Sequence, residues 1–439
     1  MEMAHFAVIC PEGAGHLLSV GELGNELARR GHRVTLLGSS RAALMAEKLG
    51  LPLHPWSTDD VPWPSAWLRR SVFGLAGASW AIDWQCWFGW RNEVLLRLLP
   101  TTLEDLQVDG LVTDQILLAA GTVAEHLNIP FVTVCSALPW NQEDGVPPPH
   151  TDWEFAPGRR ARWQNRLGYA ARNWLVRPVL KRINRYRQGW NLPPVKHVDE
   201  TYSSLAQLCQ LCPEMDFLRR EMPGVFHYVG PLGAFRPADD IEFPWARLNG
   251  RPLIFASMGT VARARGFNFP VLQRILAACT DLDAQLVMTR GKWAKQDEQG
   301  TREALGPVPG DTILVDFAPQ LALLDRADLL ITHAGINTVM EALAREVPMV
   351  ALPQGADQPG MAARVQYAGV GLKGSFQKST PEQIRRMIKR VLAEETFRTQ
   401  ATQMKQAIAN AGGVQRAAEI AERALTTGQP VHREERVDA

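Results

Sequence analysis

No uncharged apolar run in these 439 residues approaches the roughly 20 residues that a bilayer-spanning helix needs, so a helical integral membrane protein is excluded. The amino terminus, "MEMAHFAVIC", runs straight into a strand pattern. It lacks a basic segment followed by a signal-type apolar run and cleavage site, so a cytoplasmic location is expected. An excess of either charge is missing as well: 47 Lys and Arg stand against 46 Asp and Glu. The formal net charge of +1 provides no global attraction for nucleic acid. Cysteine is sparse. Cys10, Cys86, Cys135, Cys209, Cys212 and Cys279 are scattered, several of them inside apolar strand patterns where a thiol behaves as a small hydrophobe. The lone C-x-x-C of Cys209 and Cys212 has neither a second pair nor a histidine cluster to complete a tetrahedral zinc site, and no metal is expected.

What is present is a regular alternation. Strand "HFAVIC", loop "PEGAGH", helix "LLSVGELGNELARRG" and strand "RVTLLGS" are followed by strand "GLVTD", helix "AAGTVAEHLN" and strand "PFVTVCS". Strands alternating with helices predict a doubly wound parallel sheet. The stretch from His227 to Pro252 is rich in Pro and Gly and poor in periodicity, and beyond it the alternation restarts with "LIFAS". The expected organisation is therefore α/β, with a Rossmann-like domain over 1–230, a linker over 231–252 and a second Rossmann-like domain over 253–426. The tail 427–439 has no apolar face and is expected to be disordered.

Two segments interrupt the first domain. Trp56, Trp63, Trp67, Trp80, Trp84, Trp87 and Trp90 put half of the fourteen tryptophans into one crossover. That is more aromatic surface than a small polar ligand needs. It suits a large apolar alcohol, or equally an aromatic core or an interface. From Arg159 to Lys196 there are eleven Lys or Arg and no Asp or Glu, interleaved with Trp163, Tyr169, Trp174, Tyr186 and Trp190. Such a segment reads either as a peripheral contact with an anionic membrane or as a solvated helix beside an acceptor pocket.

The chemistry-bearing residues cluster at predicted strand ends. In "PEGAGH", Gly13 and Gly15 invite a dinucleotide reading, but Leu18 occupies the third glycine position and "LLGSS" offers no acid for a ribose, so the nicotinamide fingerprint fails. His16 remains, at a strand-to-helix junction. Asp114 ends "GLVTD" at the same sheet edge, so it could orient and charge-stabilise the imidazole of a general base, or simply cap the next helix. In the second half, "HAGINTVMEALAREVPMVALPQGADQ" places Ile336, Val339, Met340 and Leu343 on one helix face between two buried strands. His333, Gly335, Asn337 and Thr338 then fall at a helix N-terminus that favours anions, and Ser257, Gly259 and Thr260 in "ASMGT" do so at a neighbouring strand end. The pattern implies a bound phosphate group without a Walker lysine. Glu341, one turn on, could accept both hydroxyls of a ribose.

The run "FAPQLALLDRADLLITHAGINTVMEALAREVPMVALPQGADQ", from Phe317 to Gln358, closely resembles the signature segment of UDP-sugar-dependent glycosyltransferases with the two-domain GT-B fold. "GAGH" and "LARRGHRVT" extend the resemblance to the N-terminus, while "TVCSALPWNQEDGVPPP" and "ADQPGMAARV" look most like the bacterial carotenoid (zeaxanthin-type) and macrolide members. The resemblance implies two Rossmann-like domains facing across a cleft. It further implies that Phe317 stacks on uracil and Ala318 meets it through its backbone, with Gln320 and Glu341 on the ribose. His333, Asn337, Thr338 and Ser257 would hold the diphosphate, Asp357 and Gln358 the sugar, and His16 with Asp114 would deprotonate the acceptor. Plant members usually carry Trp at the positions of Phe317 and Ile336, and the basic loop "VARARGFN" has no clear family counterpart.

Inverting transfer of a hexose, expected to be glucose, to a lipophilic hydroxyl such as a carotenoid's is the leading expectation, with UDP-sugar as co-substrate and no cofactor or metal. Macrolide or flavonoid acceptors, a catalytically silent helper of the same fold, and hydrolysis or epimerisation of the nucleotide sugar remain open.

Overall fold

The computed structural model describes residues 3–56, 79–236, 241–259, 269–290, 305, 308 and 310–433, with the backbone alone for 79–87 and 269. The expected site residue Thr260, the loop 261–268, Trp63 and Trp67, and residues 434–439 lie outside the described residues, as do the side chains of Trp80, Trp84 and Trp87.

The first half contains β1 (His5–Ile9), α1 (Ala14–Arg29), β2 (Arg33–Gly38), α2 (Ala43–Leu49), β3 (Leu53–Pro55) and α3 (Ser79–Leu106). It continues with β4 (Gly110–Asp114), α4 (Leu118–His126), β5 (Phe131–Cys135), α5 (Arg159–Gly189), β6 (Gln207–Cys209) and β7 (Phe226–Tyr228). The second half contains β8 (Leu253–Ser257), α6 (Phe269–Cys279), β9 (Gln285–Thr289), β10 (Ile313–Val315), α7 (Gln320–Leu324), β11 (Leu329–Thr332) and α8 (Ile336–Leu343). It ends with β12 (Met349–Ala351), α9 (Gln358–Tyr367), β13 (Gly371–Lys373), α10 (Pro381–Ala393), α11 (Glu395–Asn410) and α12 (Gly413–Thr427).

Every residue of β1, β4, β5 and β8 is buried, which is why these strands read as continuous apolar runs: helices cover both faces of a parallel sheet. The first sheet runs β3-β2-β1-β4-β5-β6-β7 and the second β10-β9-β8-β11-β12-β13. In each, the chain works outward from a central strand and then reverses, at β1/β4 and at β8/β11. Those reversals open the crevices where doubly wound sheets bind ligands. Helix α10 starts where its sequence says it should: Thr380 and Gln383 form a reciprocal capping box, with Pro381 in the first turn.

The carboxyl end departs from expectation. Helix α12 packs on α1 of the first domain: Ala417, Ile420, Ala421 and Leu425 share a core with Phe6, Leu23 and Leu27, and Glu422 accepts from Arg30 at 2.9 Å. Residues 428–433 are held against the same domain rather than disordered. Val431 donates its backbone N–H to Leu205 O at 2.8 Å, and its carbonyl meets His227 Nε2 at 2.8 Å. Backbone pairing, invisible to an apolar-face criterion, orders this segment. Cys209 and Cys212 are buried free thiols inside the shared core, where burial pushes the Cys212 thiol up to about 12.

One core cluster spans both halves, joining Cys135, Leu211 and Phe226 to Phe255, Leu330 and Met361. At its centre Arg364 of α9 is fully buried and donates to Asp216 Oδ1 at 2.7 Å; Arg219 and the Tyr228 hydroxyl each reach Asp216 Oδ2 at 2.8 Å. The Arg364 guanidinium also lies over the Phe217 ring at 4.2 Å. Burial alone would raise the Asp216 pKa, but Arg364 and Arg219 outweigh it and hold the carboxyl well below its usual range. Its stabilisation is therefore present above the ordinary carboxylate pKa and is lost only as pH falls through the depressed value. Gly360 completes the contact, since a Cβ there would stand 2.2 Å from Pro149 O. Arg364→Leu removes one of two cationic partners and is expected to cost about 3 kcal/mol, read as a lower denaturation midpoint at pH 7.

Candidate active site

The first switch point carries a histidine and a carboxylate. His16 stands in the opening turn of α1, and its Nδ1 lies 2.8 Å from Oδ2 of the buried Asp114, which ends β4. The other Asp114 oxygen accepts from Ile116 N at 3.0 Å, so this residue also fixes its own turn. Ser136, just beyond β5, places its hydroxyl 2.7 Å from His16 Nδ1 and donates to Asp114 Oδ2. Sequence reasoning missed Ser136, because only the strand order puts the end of β5 beside the end of β4.

Burial opposes protonation of His16, but the charge and hydrogen bond of Asp114 outweigh it, Asp357 adds to them and Arg91 opposes; the net pKa is raised. Arg91 of α3 is a second residue that the sequence did not single out. It lies in the field of Glu12, Cys10 and Asp114. With Nδ1 committed to Asp114, Nε2 is the nitrogen left to exchange a proton.

The second switch point has the opposite electrostatics. His333 follows β11 directly, and its ring is seated between two glycines: a Cβ on Gly259 would fall 2.4 Å from Cε1, and one on Gly335 would fall 2.6 Å from Nε2. Gly259 also has φ +67°, in the left-handed region. Burial lowers the His333 pKa to about 4, against a small opposing effect of the Ser257 backbone, and Nδ1 makes no hydrogen bond among the described residues. At neutral pH this imidazole is an uncharged donor, not a cation. Ser257 is buried at the end of β8, paired with Thr332 of β11.

Glu341 is not the exposed helix glutamate it could have been. It is buried, with Oε1 accepting from Arg236 and Oε2 from Gln320 Nε2, each at 2.5 Å. The same Gln320 amide lies 3.4 Å from Thr338 Oγ1, so three expected donor residues meet. Arg236 enters from the segment between the domains, whose low periodicity concealed it. Phe317 is 41% exposed, with Ala318 partly buried beside it.

Three expected residues are engaged elsewhere in this structure. Asn337, anticipated at a diphosphate, donates to Gly15 O at 2.9 Å and accepts from the Ser19 hydroxyl at 3.0 Å, tying α8 to the turn that carries His16. Asp357 accepts from Leu138 N at 3.0 Å, which brings its charge close to His16. Gln358 turns its amide oxygen onto Gln354 N and Gly355 N at 2.9 and 3.2 Å. Of the tryptophans in the crossover, Trp56 packs partly buried against the core that holds Phe88 and Leu95.

A hydrogen-bonded histidine and carboxylate at the switch point of one parallel sheet, and a buried histidine before a helix start at the switch point of the other, mark out the candidate site of a chain built on two Rossmann-like domains. Residues 273–425 match the family described as "Erythromycin biosynthesis protein CIII-like, C-terminal domain". Over 98% of both chains, the protein is 34% identical to the zeaxanthin glucosyltransferase of Pantoea ananas. It is 32% identical to that of Pseudescherichia vulneris over 98% of this chain and 100% of the relative. The calicheamicin glycosyltransferase CalG4 shares the fold with a TM-score of 0.73 at 22% identity, covering 98% of this chain and 100% of the other. The chain belongs to the carotenoid and macrolide type of GT-B glycosyltransferases.

Gly259→Ala is expected to expel the His333 ring from its seat at a cost of about 1–2 kcal/mol. Between pH 6.5 and about 4 the unfolded wild type binds a proton that the folded state refuses, so stability falls as pH falls through that window. In the variant, NMR titration of His333 should show a pKa nearer 6.5 and the stability profile should flatten.

Proposed function

We propose that the protein transfers glucose from UDP-glucose to a hydroxyl of a lipophilic acceptor of the carotenoid class, at the surface of the membrane that holds it, with inversion at the anomeric carbon and without a metal. The observation that carries this reading is the hydrogen-bonded His16 and Asp114 pair, set against the second domain's donor residues. Asp357 bridges to Leu138 N beside it, and the names of the two zeaxanthin relatives supply the acceptor class and the sugar.

In the proposed reaction the acceptor oxygen attacks the anomeric carbon from the face opposite the nucleotide, while His16 Nε2 takes the hydroxyl proton. Asp114 holds the ring's other nitrogen and stabilises the imidazolium that forms; Ser136 keeps the carboxylate aimed. The bond from the anomeric carbon to the diphosphate oxygen breaks, and UDP leaves with the electron pair. Neutral His333 and the N-terminus of α8 offer hydrogen bonds and a favourable dipole to that developing charge, which is why no divalent cation is called for. Glu341 and Gln320 are the ribose ligands in this scheme, with Phe317 against the base. Asn337 donates one amide N–H to Gly15 O and has a second N–H for a phosphate, so donor binding would bear on the same side chain that contacts α1. A macrolide acceptor is the second reading, favoured by the erythromycin-type match over the C-terminal domain.

His16→Ala is expected to lower transfer by at least about 100-fold while UDP still binds, as read by mass spectrometry of glucosylated product and by calorimetry. Wild-type rates in that variant would remove His16 as the base. Because Asp114 raises the His16 pKa and the base must be neutral, activity should rise with pH through that raised value; Asp114→Asn should shift the acidic limb to lower pH and reduce kcat. A chelator should leave the rate unchanged, and a chelator-sensitive enzyme would contradict the metal-free scheme.

A further inference from the structure

The outer face of α5 has no use in the reaction. Trp163, Leu167 and Trp174 are 63%, 50% and 68% exposed, and at 100° per residue they fall within about 40° of one another on the helix. Exposed Arg159, Arg160, Arg162, Arg166, Arg177, Lys181 and Arg185 surround them. Only Arg166 of these has an acidic partner among the described residues, Asp144 at 2.6 Å. A helix face designed for water places acids three or four residues from its bases; this one has none, and its bases repel one another at those spacings. Three arginines in the first turn, Arg159, Arg160 and Arg162, also oppose the helix dipole. An anionic plane would relieve both penalties, while exposed tryptophans suit the boundary between headgroups and acyl chains. Among the described residues no helix is long and apolar enough to cross a membrane, so the contact is a surface one.

The inner face of the same helix reaches the site. A Cβ on Gly168 would fall 2.8 Å from Pro148, and Arg172 donates to Trp140 O. Both contacts lie in the loop that begins at Ser136 and holds Asp357 through Leu138 N.

We infer that the outer face of α5 docks the enzyme on an anionic lipid bilayer, with Trp163, Leu167 and Trp174 entering the interface and the arginines neutralising headgroups. This rests on the lipophilic-acceptor reading, for which the helix provides the route from membrane to site.

The test is co-sedimentation of the full chain with phosphatidylcholine vesicles, with and without phosphatidylglycerol. Wild type should bind the anionic vesicles, and added salt should release it. Two variants, Arg159→Gln/Arg160→Gln/Arg162→Gln and Trp163→Ala/Trp174→Ala, should each bind at least about 10-fold more weakly, with a thermal midpoint no lower than that of the wild type. Glucosylation of acceptor embedded in vesicles should fall in parallel, while turnover of detergent-dispersed acceptor stays at the wild-type rate. Wild-type binding by both variants, or no anionic preference in the wild type, would overturn the docking face. So would a wild-type dimer that the variants convert to monomer without any vesicle binding. Absence of transfer to every lipophilic acceptor would instead remove the functional reading, because sedimentation does not depend on it.

Discussion

A single buried carboxylate sets the relation between the two halves of the molecule. Asp216 accepts from Arg364 of the second domain and from Arg219 and Tyr228 of the first, inside a core that both domains share. Two cations and one anion out of water do not make a strong case for net stability, since each loses its hydration and one guanidinium nitrogen of Arg364 and of Arg219 finds no hydrogen bond among the described residues. What the cluster provides is alignment. Arg364 sits two turns into α9, and Asp357 stands immediately before the first turn of that helix; fixing the one orients the other toward Leu138 and His16. Close approach at Gly360 and Pro149 leaves the helix no room to slide.

With that geometry held, two histidines are driven in opposite directions by their surroundings. His16 has a carboxylate against one nitrogen and becomes easier to protonate; His333 is enclosed between two glycine turns, has no acidic partner among the described residues, and stays neutral. Environments that separate the titration of like groups divide acid and base duties between them. The same residue type thus gains a proton more readily on one sheet and stays uncharged on the other. Asn337, spanning from α8 to Gly15 and Ser19, joins these two environments directly.

The long basic helix extends the same logic outward. Its buried stripe of Gly168, Tyr169, Val176, Val179 and Ile183 grips the first domain, while its exposed stripe combines tryptophans with unbalanced arginines. A chain with a net charge of +1 can be strongly polar in this sense, because the excess of base on α5 is balanced by acids elsewhere.

Much of this was legible in the sequence for local reasons. Continuous apolar strands, the 3.6-residue spacing of Ile336, Val339, Met340 and Leu343, and the Thr380 capping box each specify an element through neighbours a few residues away. His16 and Asp114 could be paired in advance because the carboxyl ends of all strands in a parallel sheet lie along one edge. Tertiary structure decided whatever depends on contacts between distant segments. It placed Ser136 on Asp114, brought Arg236 to Glu341, returned α12 and residues 428–433 to the first domain, and turned Asn337 and Asp357 into ties across the cleft. The reason is physical. A side chain's type and local period are carried by the chain itself, whereas its partner, burial and protonation depend on which surfaces the packed sheets bring together.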